Sequence, residues 1–401
     1  MEPVIPVSLV DNDLYKYTMA QAVYHQYPGV NVRYKFKCRN NDETLGRDPV
    51  KLDRLCQSVN HSIDLLCKLQ HTDAELSYLY NIRYIKPDFV DFLSLLKLNR
   101  DHINCWVHHG ELNVVIVGPW IFTIWFEVLV LSIISETYTQ IYRAGTPIYQ
   151  TIKLNATNKF NYLRSHLAEN DLDFKFTDFS TRRRSSYDTQ DYMIGRALTE
   201  VPQWFVGTSN VHFAMKHDIP VFGTMAHEWI CAHQQLGVKV VDSQKAAFSA
   251  WLKEYKGDLG IALTDTVGFA AFLKDFDLLF AKVFDGGRHD SGNPFYHAMS
   301  LVKHYRDLGI DPRTKSIIFS DGLDFKRALD IYFYFKTVIK TGFGIGTYFG
   351  NDTGLIPPQI VIKMVECNGK PVAKVSNDPG KAMCEDKQHE NWVKHVFNIN
   401  N

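Results

Sequence analysis

From residue 147 onward the chain repeats one grammar: a short apolar run, a polar loop, then a helix-like stretch. Runs that read as strands fall at 174–179, 204–208, 220–223, 259–264, 280–284, 316–320 and 341–345. Helical stretches such as 184–198, 211–217, 244–255, 268–276 and 323–336 lie between them. Strands separated by helices are joined by crossovers, so they pair in parallel and need helices to cover the sheet. Seven such units in this length predict a closed or nearly closed β/α barrel. A doubly wound open sheet is the competing architecture, and it would feed its crevice from fewer loops.

The polar residues fall where a barrel enzyme needs them, at the C-terminal ends of the strands. These ends carry Asp178 and Arg182, Thr208 and Ser209, Thr224 and His227, Asp265, Arg288 and Asp290, Ser320 and Asp321, and Gly346 and Thr347. Arg288 offers a planar fork of donors for a carboxylate or phosphate, and Asp290 offers acceptors for sugar hydroxyls or a metal. Taken alone, the run 284–293 reads equally well as a surface turn. In Phe343-Gly344-Ile345-Gly346-Thr347, glycines followed by a hydroxyl make a nest of N–H groups suited to a phosphate. A third glycine is missing, so this is not a dinucleotide fingerprint, and no Walker-type loop occurs in the chain.

His227-Glu228 does not extend to a zinc-protease motif, because Cys231 takes the place of the second histidine. His227 is then a nucleophile or acid–base group, with Glu228 or another carboxylate setting its tautomer, or else a structural histidine. Arg182, Arg183 and Arg184 cannot all point one way from a helix start; one turned over the barrel mouth would bind an anion. Phe179 beside them stacks on a flat ring or belongs to the core. Together these residues describe a site for a phosphorylated sugar and a small, flat anion.

The first third of the chain is mixed. Asp11-Asn12-Asp13 can cap a helix over 14–26, with Tyr15 in its first turn, and strict alternation over 30–38 predicts a half-buried strand with a basic face. Helices are expected at 52–69, 73–80 and 87–98, and strands at 107 and 112–117. The apolar run 114–135 raises the question of a membrane span, but Pro119 near its start and Glu127 inside it favour a buried helix running to Glu136. Asn368-Gly369 between 359–366 and 371–376 signals a hairpin that could rejoin the first domain's sheet. Gly145-Thr146-Pro147 marks the boundary. The expected division is an N-terminal α/β domain over 1–144, a barrel over 145–350, and 351–401 returning to the first domain.

Lys+Arg 44 against Asp+Glu 44 leaves no net charge, which argues against nucleic acid or an anionic membrane as partner. Seven scattered cysteines without a CxxC pair read as reduced thiols, and no basic-then-apolar leader opens the chain. A cytoplasmic protein is expected.

Four motifs carry a family resemblance: Gly207-Thr208-Ser209-Asn210, Gly223-Thr224-x-Ala226-His227-Glu228-Trp229, Arg288-His289-Asp290-Ser291-Gly292, and Phe343-Gly344-Ile345-Gly346-Thr347. Collinear matches at Asp13-x-Tyr15-Lys16-x-x-Met19, Gly118-Pro119-Trp120, Ser135-Glu136 and Val365-Glu366-Cys367-Asn368-Gly369-Lys370 extend it over nearly the whole chain. In these the chain resembles the nicotinate phosphoribosyltransferase family. The resemblance implies an α/β fold, with an incomplete seven-stranded β/α barrel packed on an N-terminal α/β domain that the C-terminal segment joins. It implies synthesis of nicotinate mononucleotide from nicotinate and 5-phosphoribosyl 1-diphosphate, with ATP as co-substrate, Mg2+, and a homodimer with shared sites. His227 would be phosphorylated by ATP. Arg288 and Thr224 would hold nicotinate between Phe179 and a Tyr15 supplied by the neighbouring subunit. Arg182 would meet the diphosphate, Gly346 and Thr347 the 5-phosphate, and Asp290, Asp321 and Gly322 the sugar; no metal ligand among the side chains is implied.

Two positions depart from the family pattern: Ser180 stands for a glycine and Asn293 for an aspartate. Ser209 stands where nicotinamide-using relatives carry an aspartate, which favours the acid over the amide. The alternatives are a nicotinamide-using phosphoribosyltransferase, a sugar-phosphate lyase or aldolase barrel (which lacks a lysine at the expected strand ends), and a non-catalytic metabolite-binding protein.

Overall fold

The computed structural model describes residues 2–143, 145–168, 171–375 and 382–399. Their strands, in chain order, are β1 (Asn31–Cys38), β2 (Ile103–His108), β3 (Glu111–Pro119), β4 (Phe176–Asp178), β5 (Phe205–Thr208), β6 (Ile261–Leu263), β7 (Gly286–His289), β8 (Ser316–Phe319), β9 (Lys340–Ile345), β10 (Ile360–Cys367) and β11 (Lys370–Pro371). They form a five-stranded antiparallel sheet in the order β11-β10-β1-β3-β2 and a six-stranded sheet in the order β5-β4-β9-β8-β7-β6.

In β1 the alternation buries Val32, Tyr34 and Phe36 and leaves Arg33, Lys35 and Lys37 on the wetter face. β10 pairs beside β1 from Val32↔Cys367 to Cys38↔Ile360, after a chain excursion of more than three hundred residues. The Asn368-Gly369 turn that follows has φ of 52° and 71°, the left-handed pair that a two-residue hairpin requires. Ser376 of the expected return strand lies outside the described residues.

Every pairing in the six-stranded sheet is parallel, and its last strand in sequence, β9, pairs with its first, β4 (Phe176↔Phe343 to Asp178↔Ile345). The order is therefore cyclic except between β5 and β6. The strand expected at 220–223 falls in that gap, where only Val221 makes a bridge, to Thr208. Pro220 has no N–H to give, and its carbonyl is taken by Thr208 N at 3.2 Å. A Cβ on Gly207 would sit 2.1 Å from that carbonyl oxygen, so only glycine permits the approach.

A second expectation is overturned at 280–284. Residues Leu278–Val283 form a helix, capped by Asp277, whose Oδ1 accepts from Leu279 N and Phe280 N. The strand comes just after it, at Gly286–His289. A five-residue apolar run cannot by periodicity be told from a buried helical turn, and the cap decided it. The helix Ile148–His166 was not among the expected elements, although its buried Ile148, Ile152, Ala156, Phe160 and Leu163 recur at helical spacing.

The apolar stretch forms helices Trp120–Thr123 and Phe126–Tyr142, and nearly every side chain of the second is buried. The stretch is long and apolar enough to cross a membrane, but it lies inside the protein, packed on the helix Pro49–Leu66, the turn Thr181–Arg183 and β10. Its two carboxylates are both paired: Glu127 with Lys16 at 2.6 Å and Glu136 with Arg184 at 2.7 Å.

Arg184 fastens the chain's beginning to the parallel sheet. It forks onto both oxygens of Asp11 at 2.7 Å and also reaches Glu136 and Gln190, all of them buried. Asp11 in turn accepts from Asn210 Nδ2 at 2.8 Å, and Leu14 N donates to Ser209 O at 2.8 Å. Arg184→Met would strand two buried carboxylates. It is expected to cost about 3–5 kcal/mol, read as a shift of the denaturation midpoint; a loss under about 1 kcal/mol would show that the clamp is dispensable.

Candidate active site

The C-terminal ends of the parallel strands open into a cavity of about 430 Å3. β4 delivers Phe179 and Arg182, β7 delivers Arg288 and Asp290, β8 leads to Gly322, β9 to Gly346 and Thr347, and His227 opens the helix His227–Ala232. Tyr15 comes from the helix Leu14–Gln26. A larger groove of about 1010 Å3 runs past Lys35, Lys37 and the helix Lys387–Val396, but it gathers none of the strand-end residues.

Tyr15 requires a correction to the expected sharing between subunits. The bonds from residues 10–14 to the loop after β5 place this chain's own Tyr15 on the wall of its own cavity, with Phe179 lining the same space. The ring of Phe179 lies against Gly344, where a Cβ would come within 2.2 Å of it, so glycine is obligatory beneath the ring. Thr224 and Asp321 do not line the cavity. The Thr224 hydroxyl donates to Ile261 O at 3.0 Å and ties the segment in the gap to β6, while Asp321 lies near enough to His289 to act on its charge.

The three arginines part company. Arg184 is sequestered in its clamp, while Arg182 and Arg183 both line the cavity. Burial, together with the neighbouring cations Arg182 and Arg39, pulls Arg183 down to about 9. The departures from the family pattern have local reasons. Ser180 donates from its Oγ to Asp178 Oδ1 at 2.5 Å, one of four donors that satisfy this buried carboxylate. Asn293 caps the helix Pro294–Asp307, accepting from Phe295 N and Tyr296 N.

At the centre, His227 Nδ1 is 3.0 Å from Thr266 Oγ1, and Nε2 is 2.9 Å from Asp290 Oδ2 and 2.9 Å from Lys374 Nζ. Glu228 does not set the tautomer; it turns to Lys16 at 2.8 Å. Burial first, and then the Lys374 ammonium, bring the imidazole down to about 4 against the pull of Asp265 and Asp290. Burial alone would raise Asp290, but the His227 hydrogen bond and Arg288 hold it well below the usual carboxylate range. His227, Asp265 and Asp290 gather donor atoms within 4.8 Å, as a metal site would. Lys374 already brings a cation there, 3.2 Å from Asp265 Oδ2, so the cluster does not fit a directly ligated Mg2+.

Lys363 and Lys374 escaped the sequence reading. Each interrupts a buried apolar run, Ile360-Val361-Ile362-Lys363 and Val372-Ala373-Lys374, and a lone lysine in such a run needs a buried counter-ion. That was the available signal.

Asp13 also lines the cavity. It opens the first helix by position, but its side chain makes no cap bond; its Oδ1 accepts from Ser209 Oγ at 2.8 Å. Burial raises it to about 6, against the Ser209 bond and Arg182. A raised carboxyl favours the fold below its unfolded value of 3.8, and this contribution is lost as pH rises through about 6. Asp13→Asn should therefore gain on the parent chain by up to about 3 kcal/mol between pH 4 and 7.5 in denaturation titrations. A difference independent of pH would contradict it.

The sequence profile of the Nicotinate phosphoribosyltransferase (NAPRTase) family matches residues 174–401, and that of the family's N-terminal domain matches residues 10–135. A nicotinate phosphoribosyltransferase of Ralstonia nicotianae is 45% identical over 98% of this chain and 99% of that protein. Nicotinate phosphoribosyltransferase 1 of Pseudomonas aeruginosa is 43% identical over 98% and 96%. The crystal structure of nicotinate phosphoribosyltransferase from Vibrio cholerae superposes with a TM-score of 0.93 at 38% identity, covering 100% of this chain and 96% of that one. With both parts of the chain matched and the strand-end residues around one cavity, this chain belongs to the nicotinate phosphoribosyltransferase family and is an enzyme of that type.

Proposed function

We propose that the chain joins nicotinate to 5-phosphoribosyl 1-diphosphate, forming nicotinate mononucleotide and diphosphate for NAD salvage, and that ATP hydrolysis drives this through phosphorylation of His227. The observation that carries the reading is Arg288. Its Nη1 makes one bond, to Met225 O at 3.2 Å, while its buried Nε has no partner among the described residues. It shares a cavity with the Phe179 and Tyr15 rings, a setting for a planar acid.

In this reading the pyridine nitrogen attacks the sugar's anomeric carbon while the bond to diphosphate breaks and its electrons leave on oxygen. The transition state carries oxocarbenium character, which the low-lying Asp290 carboxylate stabilises. Arg182 and Arg183 receive the leaving diphosphate, and Gly346 and Thr347 the 5-phosphate. Mg2+ enters as counter-ion of the phosphorylated substrates rather than on the His227 cluster. The six strands and the segment in their gap are read as an incomplete barrel, with that segment as its unformed stave. Free thiols in a chain of no net charge fit a cytoplasmic enzyme. Since Tyr15 acts in its own chain, a homodimer would add stability rather than complete the site, and specific activity stays constant on dilution.

A charge-assisted contact to the nicotinate carboxylate is worth about 1.5–3 kcal/mol, so Arg288→Gln should raise the KM for nicotinate roughly 10- to 150-fold. Faster use of nicotinamide than of nicotinate by the parent chain would overturn the acid preference. His227→Ala should abolish ATP hydrolysis and acid-labile phosphoprotein while leaving some ATP-independent transfer. Full ATP coupling in that variant would remove the phosphohistidine from the scheme.

A further inference from the structure

Lys374 lies just beyond β11 on a segment pinned on both sides. Its own backbone bridges to Met383, Val375 N donates to Thr266 O at 2.8 Å, and Gln234 bonds both polar groups of Ala373. The side chain is almost wholly buried, and its Nζ meets His227 Nε2 at 2.9 Å and Asp265 Oδ2 at 3.2 Å. So much fixing of an ammonium against an imidazole calls for a purpose.

Two proton arrangements are open to a neutral His227. In one, Nε2–H donates to Asp290 and Nδ1 accepts from Thr266. In the other, Nδ1–H donates to Thr266 and Nε2 accepts from Lys374. Lysine has donors and no acceptor, so only the second lets it donate to the ring, and only the second leaves a lone pair at Nε2; Asp290 then gives up the Nε2–H bond and keeps the Ser320 hydroxyl as donor at 3.1 Å. We propose that Lys374 is the positioning residue of the phosphoryl-accepting centre: anchored by Asp265, it selects the tautomer that carries its lone pair on Nε2, and it turns from that nitrogen to the incoming phosphoryl oxygens as the cation they meet. This rests on the ATP-coupled reading above.

In the step it serves, the Nε2 lone pair forms a bond to the γ-phosphorus of ATP. The bond from that phosphorus to the β–γ bridging oxygen breaks, and its electron pair leaves on ADP. The Nδ1 proton stays on the ring, hydrogen-bonded to Thr266, and Lys374 balances the charge of the new phosphoryl group.

The groups that face or act on His227 are Asp265 and Thr266 after β6, Asp290 at the end of β7 and Lys374, with Arg288 and Lys363 acting through Asp290 and Lys374. Removing the Lys374 cation leaves the two carboxylates to draw a proton onto the ring. The test is steady-state ATP hydrolysis from pH 4 to 9 in the parent chain and in K374M, K374Q and K374R, each checked for folding by circular dichroism. In K374M the acid limb should move up by about one pH unit or more, with activity recovering toward high pH. K374R should keep the parent limb, and K374Q, which keeps a polar donor without the charge, reads the same shift if K374M folds poorly. A parent-like limb in K374M or K374Q, or a loss equal at every pH, would overturn the assignment. Absence of ATP hydrolysis in the parent chain would overturn the coupled reading instead.

Discussion

The buried clamp of Arg184 with Asp11 and Glu136 is the contact on which the site depends. It joins the first residues of the chain, the apolar helix Phe126–Tyr142 and the turn after β4 at one guanidinium. A buried ion set is weak as net stabilisation, since desolvation offsets most of the attraction, but it is strict about geometry. Here the geometry matters, because it brings Asp13 and Tyr15 to the strand ends from a segment that belongs to neither sheet.

The open side of the six-stranded sheet has a comparable role. Had 220–223 formed a full strand, its continuation would be committed to ladder bonds. Instead it makes one bridge, crosses the opening and starts the short helix that presents His227. Gly207 permits the crossing and the Thr224 hydroxyl secures its far side. Thr224 therefore acts on the scaffold in this structure, although its position in the motif suggested a ligand contact.

Electrically the chain is neutral and its site is not. Arg182, Arg183, Lys363 and Arg288 line a cavity that also holds Asp13 and Asp290. Phosphates and a carboxylate need the first set, and a developing positive charge on a sugar needs the second. Total charge revealed none of this, because it averages over the surface.

Much of the site was legible because strand-end chemistry is local: Arg288, Asp290, Gly346 and Thr347 are placed by their own strands, and a short sequence window shows both the strand and its end. The basic face of β1 and the Asn368-Gly369 turn were legible for the same reason. What the amino-acid order could not show is which separate segments meet. Lys363 and Lys374 arrive from the C-terminal part of the chain, Tyr15 from the first helix, and Glu228 turns away from the histidine beside it toward Lys16. The helix at Leu278–Val283 likewise waited on its surroundings, since a short apolar run stays ambiguous until a cap and a packing partner are chosen. The sequence determined the elements and the chemistry at their ends. Burial decided the pairings, because a charged group removed from water must find its partner wherever in the chain that partner lies.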